Sequence, residues 1–71
     1  MYVIVHIWED NANVYGSREA AIAGIANNHD EHEETDVAVA VEWAITNPGE
    51  AASIDQGMST VRYLSITNEV D

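Results

Sequence analysis

The sequence predicts a small α+β fold, in which a mostly antiparallel sheet of three main strands and a short edge strand carries one helix on one face. Three observations lead to this prediction. Residues 2–8 form a short apolar run rich in β-branched side chains, residues 17–28 repeat apolar side chains at helical spacing, and residues 37–46 alternate with a period of two. With 71 residues and no internal repeat, we expect a single domain over residues 1–71.

The first strand is predicted at residues 2–8, YVIVHIW, and its place is central in the sheet because both of its faces are apolar. His6 within it is expected to be a buried neutral histidine and not a ligand. Asp10 and Asn11 then favour a turn, after which a short edge strand near residues 13–16 is predicted.

The helix is predicted at residues 17–28. Ser17 is a suitable N-cap, and Glu19 in the first turn suits the positive end of the helix dipole. Gly24 lowers helix propensity by about 1 kcal/mol relative to alanine, and we expect it to let the helix lie close to the sheet. Four apolar residues share one helical face: Ala21, Ile22, Ile25 and Ala26.

Residues 37–46 are predicted to be a strand, because large apolar side chains alternate there with small or polar ones. Trp43 is accordingly expected in the core or on a sheet face, as is Trp8. The alternative is a helix, since four residues also share one helical face: Val37, Val41, Ala44 and Ile45. The segment ends at NPGE, where Asn47 before proline leaves the helical region and Gly49 permits a turn.

The last main strand is predicted at residues 60–67, following a small and polar stretch, residues 50–59, with at most one helical turn at EAASI. One helix cannot cover both faces of such a sheet. The second face is therefore expected either to be lined by alanines of residues 37–46 and polar groups, or to be buried by another molecule, for example in a homodimer.

The charge balance separates the classes of partner. Thirteen aspartates and glutamates face two arginines and no lysine, for a formal net charge of -11. Such a field disfavours direct binding to nucleic acid and to anionic membranes, and it favours a basic protein surface. An acidic surface of this kind also suits a salty cytoplasm, which is the alternative explanation. The apolar N-terminal run is too short for a signal peptide or a membrane span, so we expect a cytoplasmic protein.

The chain offers little of the chemistry that enzymes use. It has no cysteine, its glycines are too far apart for a phosphate-binding loop, and no nucleophile elbow is present. No catalytic residue and no cofactor are therefore predicted. Glu42 is the one carboxylate inside a regular element, and it is expected to face outward with Arg62 as its partner.

The densest acidic segment is HDEHEETD, residues 29–36, which follows the predicted end of the helix. We interpret it first as an exposed connector and second as a docking surface. A zinc or nickel site at His29, His32 and Glu33 is a weaker alternative, because the spacing matches no established metal motif. The predicted partner-binding residues are Asp30, Glu31, Glu33, Glu34, Asp36, Glu9, Asp10, Trp8 and Tyr63.

Residues 14–25, VYGSREAAIAGI, resemble the strand, capped turn and helix start of small orphan proteins from phages and other mobile elements. With its size and acidity, the chain resembles the class that includes anti-CRISPR and host-takeover proteins. The resemblance implies an inhibitor that acts by occlusion, with carboxylates that mimic phosphates or cap a basic nucleic-acid channel of a defence complex. A structural or oligomeric domain with a salt-adapted surface and a metal-responsive protein remain the alternatives.

Overall fold

The computed structural model of the chain describes residues 2–28 and 33–66. In chain order the elements are β1 (Tyr2–Trp8), β2 (Asn11–Tyr15), α1 (Arg18–Asn28), α2 (Glu34–Thr46), β3 (Ala52–Ile54) and β4 (Ser59–Ser65). The strands form one antiparallel sheet in the order β2-β1-β4-β3. The α+β class and the central place of β1 are thus confirmed. Neither described helix is both long and apolar enough to cross a membrane.

The main correction concerns residues 37–46, which belong to helix α2, so that the strand prediction is wrong and the helical alternative is right. The buried residues of α2 recur at helical spacing: Val37, Ala40, Val41 and Ala44. Alternation alone could not separate the two interpretations, because the same segment also places apolar residues three and four positions apart. Two of the four buried residues are alanines, which have the highest helix propensity and let α2 pack closely on its neighbours.

The prediction of a helix at residues 17–28 is confirmed by α1, Arg18–Asn28. The backbone N–H of Ala20 donates a hydrogen bond to Oγ of Ser17 at 3.1 Å, which is the expected N-cap. A Cβ placed on Gly24 would lie only 2.4 Å from Cε1 of Tyr15, so the Tyr15 ring fills the space that a side chain would need. Gly24 therefore allows α1 to lie close on β2, as predicted.

The remaining strands differ from the prediction in detail. The edge strand predicted near residues 13–16 is β2, which begins earlier, at Asn11. The last strand agrees with β4 over residues 60–65, and residue 67 lies outside the described residues. The helical turn considered at EAASI is wrong, because residues 52–54 form β3 and pair with β4. Three residues are too few for a period of two to be recognised in the sequence.

The core lies between the two helices and one face of the sheet, and its most buried members include Ile4, Ile25, Val41 and Val61. His6 is fully buried on this side, as expected. The other face of the sheet is not covered by either helix. Its apolar residues include Val5 opposite Val14, Val3 opposite Leu64, and Ile7. The expectation that alanines of residues 37–46 line this face is wrong, since those alanines are in α2.

Candidate docking surface

The fold brings carboxylates from separate parts of the sequence to one end of the sheet. Trp8, the last residue of β1, is in register with Ser59, the first residue of β4. The turn between β1 and β2 and the turn between β3 and β4 therefore lie at the same end. Glu9 and Asp10 form the first of these turns, and Asp55 begins the second.

Helix α2 also begins at this end. Asp36, in the first turn of α2, borders the same groove as Asp55, which puts the start of α2 beside the turn between β3 and β4. The loop after α2 is held at the far end, where the N–H of Gly49 donates to the backbone oxygen of Tyr63 at 2.9 Å. Glu33 stands at the N-cap of α2, and Glu34 and Asp36 lie in its first turn. The acidic end is accordingly defined by Glu9, Asp10, Glu33, Glu34, Asp36 and Asp55.

Repulsion within the acidic end is reduced at the start of α2, where Glu34 and Asp36 lie in the first helical turn. Carboxylates in the first turn of a helix interact favourably with its dipole, which offsets part of their mutual repulsion. All six side chains are exposed to solvent. The predicted binding residues Asp30 and Glu31 lie outside the described residues, as do His29 and His32. Within the described part of the chain, no group of three or more side chains is placed to hold a metal ion.

A groove runs between α2 and β3 beside the acidic end. It has a volume of about 550 Å³, and its lining on α2 comprises Asp36, Val39, Ala40 and Trp43, with residues 51–55 on the strand side. The side chain of Val39 is 70% exposed and that of Trp43 is 44% exposed. Both also border a second depression of about 410 Å³ on the other side of α2. Val39 and Trp43 together thus form an apolar ridge between two depressions.

This ridge was missed by the sequence prediction, which placed Trp43 in the core or on a sheet face. In a helix, Val39 and Trp43 are four residues apart and lie on one face, away from the buried stripe that contains Val37, Val41 and Ala44. The helical alternative for residues 37–46 already contained this signal, because it leaves both residues off its apolar face.

The two aromatic residues predicted to bind a partner are less accessible than Trp43. Trp8 is half-buried at the end of β1, next to the acidic end. Tyr63 is also half-buried, packs against the core and stacks on Tyr2 with ring centroids 4.8 Å apart. Trp43 therefore offers more aromatic surface to a partner than either of them.

Negative charge is greater on the groove side of the ridge than on the other side. Glu42 borders the second depression, but it forms an ion pair with Arg18 of α1, which offsets its charge. The prediction that Arg62 pairs with Glu42 is wrong, because Arg62 lies on the uncovered face of the sheet. Asp36 and Asp55 border the groove. The groove thus combines an apolar wall with carboxylates.

Comparisons of the chain with protein-family models, with curated proteins and with solved structures found no match. The described surface places the apolar area of the ridge beside the carboxylates of the groove and of the acidic end.

Proposed function

We propose that the protein is a non-enzymatic acidic binding protein that covers a basic, nucleic-acid-binding surface of a target protein. The observation that carries this proposal is the exposed ridge of Val39 and Trp43 beside the carboxylates of the acidic end. Tryptophan side chains contribute more than most residues to the energy of protein interfaces, and surrounding charge selects the partner and speeds its approach. An apolar anchor beside grouped charges of one sign fits a partner of the opposite sign.

The size of the charge supports a target that binds nucleic acid. The protein carries a net charge of -11 on 71 residues, so lysine- and arginine-rich surfaces attract it strongly. Such surfaces commonly bind phosphates. The carboxylates then take the place of phosphates, so that protein and nucleic acid compete. The resemblance to anti-CRISPR and host-takeover proteins supports a target within a nucleic-acid-binding defence complex.

The test is capture from an extract of the source cells on immobilised protein, with and without nuclease and at two salt concentrations. A captured partner is then purified and titrated in the presence of DNA or RNA. We expect binding that weakens steeply with salt and that nucleic acid displaces. Binding that is insensitive to salt and unaffected by nucleic acid would refute the proposal.

Charge variants separate the acidic end from acidity in general. The double variant Glu33→Gln/Glu34→Gln should slow association with the partner, because electrostatic attraction acts mainly on the approach. Glu19→Gln/Glu50→Gln is the matched control, since it removes the same charge from exposed residues elsewhere on the surface. Equal effects of the two variants would show that only net charge matters.

A second candidate function is that of an oligomeric domain with a salt-adapted surface. The uncovered face of the sheet favours it, because Ile7 is 40% exposed and Val14 is 60% exposed there, beside half-buried apolar neighbours. Sedimentation analysis over a range of concentrations tests this function. A homodimer that Ile7→Ser converts to monomer would support it, and a monomer at all concentrations would exclude association through this face.

A further inference from the structure

Strand β3 is at an edge of the sheet, and its outer side borders the groove. Its partner within the described part of the chain is β4 alone. All three residues of β3 line the groove, although successive side chains of a strand point to opposite faces. We infer from this that the outer edge of the β3 backbone forms part of the wall.

We propose that this edge accepts an extended segment of the partner as an additional antiparallel strand, with α2 covering one face of the added segment. In this mode of recognition, main-chain hydrogen bonds provide affinity, and pockets for alternate side chains provide specificity. The inference rests on the proposed function and specifies how the partner is held. Since β3 has three residues, the added strand is short as well.

The two ends of the groove differ in chemistry. A short loop joins α2 to β3, so the two run in opposite directions. Trp43, near the end of α2, therefore lies beside the beginning of β3, and Asp36, in its first turn, lies beside Asp55. The groove is apolar near Trp43 and carries carboxylates near Asp36 and Asp55. Its occupant therefore needs a large apolar side chain near Trp43 and a lysine or arginine near the two carboxylates.

The geometry also gives the spacing and order of these two side chains. Asp36 and Trp43 are seven residues apart on α2, which corresponds to roughly 10 Å along the helix axis. Alternate residues of an extended segment point the same way and are about 7 Å apart, and a long basic side chain spans the remainder. A strand antiparallel to β3 runs in the direction of α2. The basic residue therefore comes first, and the apolar residue follows two positions later.

A second copy of the chain does not fit this groove. Each copy has a net charge of -11, and pairing two β3 edges would bring two sets of groove carboxylates together. The chain has no lysine, and one of its two arginines, Arg18, is already paired with Glu42. Charge complementarity thus selects a basic segment of another protein.

The experiment measures fluorescence anisotropy of short labelled peptides on titration with the full chain. The parent peptide has an arginine and a leucine two positions apart among serines and threonines. A second peptide has them adjacent, so that they point to opposite faces, and a third has glutamate in place of arginine. A fourth keeps every side chain but has two N-methylated backbone amides, which removes two hydrogen-bond donors and should weaken binding about tenfold or more.

We expect the parent peptide to bind most tightly of the four. Trp43→Ala and Asp36→Asn should each weaken its binding several-fold, whereas Val14→Ala and Glu19→Gln, the matched apolar and acidic controls away from the groove, should not. Equal binding of the parent and N-methylated peptides would overturn strand addition, and so would the absence of binding by any peptide. Self-association that Trp43→Ala abolishes would overturn the choice of a basic partner.

Failure of this inference can be distinguished from failure of the proposed function. If no peptide binds but a captured partner is still displaced by nucleic acid, the function stands and strand addition is wrong. If the parent peptide binds and the captured partner is indifferent to salt and nucleic acid, strand addition stands and the proposed function is wrong.

Discussion

The contact between Gly24 and Tyr15 leads to a prediction in which one substitution has opposite effects in two backgrounds. Alanine in the middle of a helix is favoured over glycine by about 1 kcal/mol, so Gly24→Ala should stabilise an isolated α1. In the folded chain, the new Cβ would lie 2.4 Å from Cε1 and 2.8 Å from Cζ of Tyr15. That is about 1 Å short of a normal carbon–carbon contact.

The balance of these terms determines the sign. The Tyr15 ring must turn away from α1 and lose part of its packing on the core, and insertions of this kind cost typically 1–3 kcal/mol. Against the gain of about 1 kcal/mol in helix propensity, we expect Gly24→Ala to destabilise the protein by about 1 kcal/mol. In a Tyr15→Leu background the ring is gone, and the same substitution should stabilise it by about 1 kcal/mol.

The assay is urea unfolding followed by circular dichroism on the four proteins of the double-mutant cycle. The expected coupling free energy is about 2 kcal/mol, within the range that residues in contact show. An equal stabilisation by Gly24→Ala in both backgrounds would refute the close approach of α1 to β2. The slope of the unfolding free energy against urea concentration should be the same for all four proteins. This is the control that the variants unfold from the same compact state.

Three further predictions concern the core, the charge and the histidines. Ile25→Ala, at a fully buried position, should lower the free energy of unfolding by roughly 2–5 kcal/mol, whereas Val14→Ala should change it by no more than about 0.5 kcal/mol. If urea unfolding gave similar losses for the two variants, Ile25 would not belong to the core. Added potassium chloride should raise the melting temperature of an already folded protein, because salt screens repulsion within the acidic end, while a chain that folds only in molar salt would favour the salt-adapted domain. Zinc or nickel should leave the melting temperature unchanged, and an increase that His29→Ala/His32→Ala abolishes would instead establish the metal-responsive alternative.

The parts of the fold that sequence reasoning predicted correctly have strong local causes. Residues 2–8 are apolar on both faces, which suits a central strand, and Ser17 has the side chain that caps a helix. Residues 37–46 were assigned wrongly because their pattern satisfies a period of two as well as the helical period. Only contact with α1 and with the sheet distinguishes the two, and that information is not local.

The candidate surface was only partly predictable, because it also depends on contacts between residues that are distant in the sequence. The carboxylates of residues 33–36 stand out in the sequence, but their proximity to Glu9 depends on the register of β1 with β4. The ridge of Val39 and Trp43 depends on the helical state of α2, and the groove depends on β3, which is too short to be recognised by pattern. These features come from long-range packing, and the charge alone does not reveal them.

The open edge of β3 has a consequence for the behaviour of the protein in acid. Exposed strand edges can join like to like, and proteins avoid this by keeping such edges short and by surrounding them with charge. Here the strand has three residues and the charge consists of carboxylates. Near pH 4.2, the isoelectric point calculated from the sequence, that net charge is lost. Acidification towards this pH should then promote self-assembly through the open edge and lower the solubility of the protein.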